Sequence, residues 1–168
     1  MKIKILTRMA ILTAASLILG YIDSLIPLFP SLPGVKLGLS NLVLLYAVFY
    51  MSPVQAILLM LLKVGLSNLL FGSAVSALYS IAGGVLSLTV MLLLHRIPKV
   101  SVIPVSTFGG ILHMIGQILI GCLLLSPRPM LVYAPWLLLA GLVTGILLGV
   151  AARAAFYGID RYERRKGA

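Results

Sequence analysis

The chain has 168 residues, of which 61% are hydrophobic and 10% are charged, and its net charge is +10. Soluble domains carry about 25% charged residues, so this chain could not cover a water-exposed surface. We therefore predict a membrane protein with one domain over residues 1–168. The basic residues flank apolar segments, which explains the net charge without a nucleic-acid partner. The only cysteine, Cys122, excludes an internal disulfide and a cysteine-based metal cluster.

Six apolar segments follow one another along the chain. We compare the length of each segment with the roughly 20 apolar residues that a spanning helix needs. The basic start of the first segment resembles a signal peptide, but no small-x-small cleavage site follows, so we expect a retained helix. Three prolines and a glycine within residues 27–34 exclude a regular helix there. The predicted spans are 8–26, 35–51, 53–70, 74–94, 104–125 and 130–152, followed by a basic tail over 153–168.

The basic residues predict the orientation of these spans. Six spans place both termini on one side, and ten of the 13 Lys and Arg residues fall on that side. The opposite side has only Lys36 and Arg128, while Lys63 lies inside a span. Because cytoplasmic loops carry an excess of Lys and Arg, both termini are predicted to be cytoplasmic and residues 126–129 external. The ten are Lys2, Lys4, Arg8, Arg96, Lys99, Arg153, Arg161, Arg164, Arg165 and Lys166.

With this orientation, nearly all polar residues within the spans lie at the midplane or in the outer half. A single outward-facing cavity explains this distribution more simply than scattered helix contacts. Lys63 is near mid-membrane, and an ionisable group there is a functional-site hypothesis by default. Two lysines facing one outer acid would favour an anionic ligand. We expect Asn41, Asn68 and Tyr79 to surround Lys63 with hydrogen-bond partners. The candidate ligand-binding residues are Asp23, Lys36, Asn41, Lys63, Asn68, Tyr79, His113 and Gln117.

Structural roles for the same residues remain open. Asn41, Asn68 and Gln117 are equally consistent with interhelical hydrogen bonds, and a lone His113 is more often a packing residue than a ligand. Lys36 could equally be an anchor that reaches the headgroups. Lys63 favours function most strongly, since a mid-span lysine cannot easily reach water.

Two sets of small residues predict close helix contacts. Gly141, Gly145 and Gly149 recur every four residues in the sixth segment, where packing within the monomer is the favoured interpretation. Ala10 and Ala14 form a similar face on the first segment, which could instead receive a partner subunit.

Residues 33–41 (PGVKLGLSN) resemble a motif of the membrane family called heptaprenyl diphosphate synthase component I, or Gx transporter family. The resemblance continues through residues 63–72 (KVGLSNLLFG), 79–87 (YSIAGGVLS) and 109–113, and Ser40 stands where alanine is common. The family is similar to the substrate-binding S-components of energy-coupling factor importers. This similarity implies six helices, cytoplasmic termini, an external ligand pocket under the loop of residues 27–34, and a docking face at Ala10 and Ala14.

Two functions are compatible with these observations. We favour a substrate-binding subunit in the cytoplasmic membrane that captures a small, anionic, vitamin- or precursor-like ligand from outside. The resemblance implies a coupling membrane subunit and ATPase subunits on other chains as its partners. The alternative is a non-catalytic membrane component of prenyl diphosphate synthesis that binds an isoprenoid diphosphate. With three acids in total, no paired aspartates and no P-loop, the chain is not predicted to be an enzyme or to hold a metal or cofactor.

Overall fold

The computed structural model describes residues 2–26, 38–124 and 127–166, and throughout these ranges the only regular structure is helical. Six helices occur, in agreement with the predicted all-α class and with the six apolar segments. Five of them are long and apolar enough to cross a membrane. The chain is therefore a multi-pass membrane protein. The helices are α1 (Lys2–Leu25), α2 (Asn41–Tyr50), α3 (Pro53–Phe71), α4 (Ala74–His95), α5 (Val102–Leu124) and α6 (Pro127–Lys166).

The second helix differs from the prediction. A span over residues 35–51 was expected, but α2 begins at Asn41 and has only ten residues, which at 1.5 Å per residue is about 15 Å. Its length is therefore about half of the roughly 30 Å hydrocarbon thickness. The reason is a turn at residues 38–40, where Gly38 has a φ of 84° that a regular helix cannot accommodate.

The short helix α2 lies in the interior of the bundle. It contacts α1, α3, α4 and α6, and Leu44, Leu45 and Ala47 are almost completely buried. Non-helical backbone at membrane depth is tolerated only where protein surrounds it or where it lines a cavity. The surrounding helices meet this condition for the turn before α2.

The connection from α2 to α3 is a tight one. Ser52 accepts a hydrogen bond from the backbone N–H of Gln55, and the Gln55 side chain accepts one from the N–H of Ser52. Pro53 occupies the first turn, where its missing N–H has no cost. This capping box fixes the start of α3 and hence the depth of Lys63 ten residues later.

The last helix is longer than the predicted span of 130–152. It has 40 residues, about 60 Å at the helical rise, and continues through the segment that was expected to be a basic tail. Alanines at positions 151, 152, 154 and 155 favour this continuation, since alanine has the highest helix propensity. The helix therefore extends well beyond the hydrocarbon layer.

Glycines allow α5 and α6 to approach each other closely. A Cβ atom added at Gly141 would lie 2.7 Å from the carbonyl oxygen of Gly110, and one at Gly145 would lie 2.8 Å from the Cα of Thr107. Gly149 faces Ile103 in the same way. The prediction that these three glycines serve packing within the monomer is confirmed.

Candidate functional site

Asp23, near the C-terminal end of α1, fixes the turn that precedes α2. Its side chain is buried, with 3% exposure, and its Oδ2 accepts hydrogen bonds from the backbone N–H groups of Gly38 (2.7 Å) and Leu39 (3.2 Å). Gly38 is in the left-handed region, and a Cβ there would lie 2.8 Å from Nδ2 of Asn41. Only glycine fits this position without strain. Asp23 thus connects the end of one helix to the start of another.

Lys63 joins α3 to the first residue of α2. Its side chain is 8% exposed, and Nζ donates a hydrogen bond of 2.7 Å to Oδ1 of Asn41. A buried ammonium group needs hydrogen-bond acceptors because its transfer out of water is costly. Asn41 supplies such an acceptor and lies beside Lys63, as predicted. Lys63 also lines the same cavity as Asp23.

His113 and Gln117 form the α5 side of this region. They are one turn apart on α5, both buried, and the Gln117 amide Nε2 donates to Nε2 of His113 at 2.8 Å. The imidazole packs against Gly83 of α4, where a Cβ would lie only 2.7 Å from Nδ1. Gly83 therefore makes the space that lets the His113 ring face the cavity.

Asn68 and Ser67 continue the polar face of α3 toward its C-terminal end. The Asn68 amide donates to the carbonyl of Val64 at 2.8 Å, while its Oδ1 has no hydrogen-bond partner within the described residues. Lys63, Val64, Ser67 and Asn68 all line one cavity, which is the face expected from helical spacing. Because Oδ1 is itself buried, a water or a ligand could reach this acceptor only if neighbouring atoms moved.

These side chains enclose a cavity of about 30 Å³. One water needs about 10–15 Å³ by this measure, whereas pockets for drug-sized ligands measure about 300–1,000 Å³. The cavity therefore has room for about two waters. The lining comes from α1, the turn, α3, α4 and α5: Gly20, Asp23, Gly38, Ser40, Lys63, Val64, Ser67, Asn68, Ser80, His113 and Gln117.

The described lining contains one formal negative charge, Asp23, and one formal positive charge, Lys63. The expectation of a net positive cavity depended on Lys36 as well. Lys36 lies outside the described residues, as does the whole of the predicted covering loop at residues 27–34. For the described lining, a polar ligand with balanced charge is as compatible as an anionic one.

Tyr79 is not where the sequence predicted. It was expected beside Lys63, but its side chain belongs to an apolar cluster with Met114, Met130 and Leu137, between α4, α5 and α6. Its neighbour Ser80 lines the cavity instead. Successive helical residues point about 100° apart, and at this position the Tyr79 side chain points into the apolar cluster while Ser80 faces the cavity.

The sequence analysis also did not predict that backbone N–H groups would donate hydrogen bonds in this site. The N–H groups of Gly38 and Leu39 bind Asp23, yet neither residue carries a polar side chain. The signal that could have revealed them was the glycine itself, because a glycine ahead of a helix often has a positive φ.

Ala10 and Ala14 lie on the exposed face of α1. The opposite face carries Met9, Thr13 and Ser16, which are buried. The chain itself therefore leaves the two alanines uncovered, and the surface is open to lipid or to another protein.

Together, the fold and this site define a multi-pass membrane protein with a small buried polar cavity between α1, α3, α4 and α5. Residues 12–155 match the family model described as heptaprenyl diphosphate synthase component I, and the chain belongs to this family. Searches of curated proteins and of solved structures found no significant match.

Family membership has two consequences. The family is a non-catalytic component of the synthase, which agrees with the expectation that the chain is not itself an enzyme. The description "component I" also implies a second synthase component as a partner. The resemblance to this family is thereby confirmed, whereas a transport role goes beyond what membership supplies.

Proposed function

We propose that this chain is a substrate-binding membrane subunit that captures a small polar ligand from the outer side in the cavity around Lys63. The observation that carries the proposal is the convergence of buried and half-buried polar groups from four helices and one turn on a single space. Helix packing alone requires no such convergence, since isolated interhelical hydrogen bonds would be scattered over the contacts between helices. A coupling subunit and ATPase subunits on other chains would supply the energy for import.

Ligand entry requires this cavity to widen, since about 30 Å³ is too small for such a ligand. The turn at Gly38 and Ser40 forms part of the cavity wall and is attached to α1 through Asp23. Moving the turn outward would break the two hydrogen bonds to Asp23 while leaving α3 and α5 in place. The Asp23 carboxylate could then accept a hydrogen bond from a donor group of the ligand in place of these two, and Lys63 could donate to an acceptor of the ligand.

Native mass spectrometry of the purified full-length protein tests this proposal. A retained water-soluble compound that is lost in Asp23→Asn and Lys63→Met, but kept in the lipid-facing control Leu61→Met, would support capture of a small ligand. Retention of the same compound by all three variants would place its binding elsewhere and contradict the proposal.

A second candidate is supported by the family description: a non-catalytic membrane component of heptaprenyl diphosphate synthesis. In that role the chain would hold an isoprenoid diphosphate and recruit a soluble catalytic subunit to the membrane. The long helix α6, which continues to Lys166, offers a structure beyond the hydrocarbon layer for such recruitment.

The two candidates predict different partners. Affinity purification of the full-length chain should recover prenyl synthase subunits under the second candidate, and a membrane coupling protein with ATPases under the first. A variant that ends after Gly158 should lose the synthase partner only. If it also loses the small ligand, the truncation has disturbed the fold and the fragment cannot separate the candidates.

A further inference from the structure

A second, larger cavity lies at the opposite end of the molecule from the polar site. Its volume is about 390 Å³, within the usual range for small-molecule pockets of about 300–1,000 Å³. It lies where the end of α2, the connection from α4 to α5 and the lower part of α6 meet. Its lining residues are Phe49, Tyr50, Val100, Ser101, Val102, Arg153, Phe156 and Tyr157.

The wall of this cavity is aromatic and well ordered by its own contacts. Phe156 is 7% exposed and packs against Tyr50 in a T-shaped geometry with ring centroids 4.9 Å apart. Phe49 lies on another side of Phe156 with centroids 5.7 Å apart. Such interlocked rings form a preorganised apolar surface rather than a loose patch. Tyr157, which is 70% exposed, forms the rim.

Arg153 provides the cation at the edge of this wall. Its side chain is exposed and lines the cavity. The planar guanidinium group binds phosphate oxygens through two parallel hydrogen bonds. The Ser101 hydroxyl, at the start of α5, lies in the same lining.

The depth of Arg153 fits the level of lipid headgroups. It lies 26 positions after Pro127, the first residue of α6, and therefore about 39 Å along the helix. The hydrocarbon layer is about 30 Å thick, and about 40–45 Å with the headgroup regions included. By the distribution of basic residues this is the cytoplasmic side, whose surface potential is negative because of anionic lipids.

We propose that this cavity binds an amphiphile with a phosphate headgroup, with the phosphate on Arg153 and the apolar chain along Phe49, Phe156 and Tyr157. An inorganic anion would make no apolar contact with the aromatic wall. A neutral hydrocarbon would make no charged contact with Arg153. Two sources supply this chemistry: an anionic phospholipid of the bilayer, and a prenyl diphosphate. A phospholipid ligand goes beyond both candidate functions, whereas a prenyl diphosphate ligand rests on the second candidate, and the site shares no residue with the polar cavity.

The test is a titration of the full-length protein in detergent, followed by native mass spectrometry. Four probes are compared: phosphatidylglycerol, phosphatidylcholine with the same acyl chains, geranyl diphosphate and inorganic diphosphate. We expect phosphatidylglycerol to bind more tightly than phosphatidylcholine, and geranyl diphosphate more tightly than inorganic diphosphate. Whichever of the two favoured amphiphiles binds more tightly identifies the source of the ligand.

Variants assign the binding to the cavity. Arg153→Gln should weaken both favoured amphiphiles by roughly tenfold or more, since it removes a charge-assisted contact. Arg96→Gln is the matched control, because Arg96 is also an exposed basic residue on the cytoplasmic side but does not line the cavity. Tyr157→Ala should weaken the amphiphiles and leave inorganic diphosphate unaffected.

Equal losses in the Arg153 and Arg96 variants would mean that diffuse surface charge attracts the lipid, and would overturn the proposal. Inorganic diphosphate binding as tightly as geranyl diphosphate would also overturn it, because the wall would then contribute nothing. Thermal unfolding of Arg153→Gln at the wild-type temperature would show that the variant is folded.

Discussion

Replacing Lys63 by methionine distinguishes a ligand-binding lysine from a structural one. Methionine keeps the approximate length of the side chain and removes its charge and its three donors. The change leaves Oδ1 of Asn41 without its 2.7 Å hydrogen bond from Nζ. It also removes the formal positive charge from a described lining that still contains Asp23.

The expected changes in stability and in ligand affinity follow from the loss of this hydrogen bond and of this charge. A hydrogen bond to a charged group contributes about 1.5–3 kcal/mol, and an acceptor left buried and unsatisfied costs about 1–3 kcal/mol. The desolvation of the ammonium group is relieved at the same time, which offsets part of this loss. We therefore expect a net fall of about 1–3 kcal/mol in stability, and a loss of about 2–4 kcal/mol in ligand affinity if the ligand contacts Lys63.

The assay combines thermal unfolding in detergent with calorimetric titration of the ligand retained by the wild-type protein. Leu61→Met, on the lipid-facing side of α3 with 54% exposure, controls for introducing a methionine into the same helix and should change stability by less than about 1 kcal/mol. A Lys63→Met protein that binds as tightly as wild type but unfolds earlier would assign the lysine a structural role. Wild-type values for both stability and affinity would refute the reasoning altogether.

Three further changes test the fold, the orientation and the docking face. Gly38→Ala forces a Cβ into a left-handed backbone and should cost about 1–2 kcal/mol of stability, measured by thermal unfolding; no change would mean that the turn readily rearranges. Arg128→Cys in a Cys122→Ala background should be labelled by a membrane-impermeant thiol reagent in intact cells, and absence of labelling in folded protein would contradict the orientation. Leucine at both Ala10 and Ala14 should block co-purification of a partner subunit by overpacking while ligand binding persists; unchanged co-purification would remove this face from the interface.

The number of helices, their order and the membrane class could be predicted from the sequence because they depend on local properties. An apolar segment must reach a minimum length, set by the bilayer thickness, to span the membrane. Local residues such as Pro53 and Gly72 mark the places where helices begin or end. The predicted neighbourhood of Lys63 and Asn41 was also correct, since depth in the membrane can be counted along each segment. The predicted orientation rests on the distribution of Lys and Arg alone and remains a prediction.

Only the tertiary structure determined which side chains face the cavity and where α2 begins, because these features depend on the rotation of each helix and on the path of the backbone. Tyr79 and Ser80 have nearly the same depth, but packing against α5 and α6 directs Tyr79 into the apolar cluster and leaves Ser80 at the cavity. The shortening of α2 required knowledge that Asp23 binds the N–H groups of Gly38 and Leu39, a contact between residues 15 and 16 positions apart. Hydropathy carries no information on such contacts, because it expresses how well a segment fits a lipid environment and not which other segments it contacts.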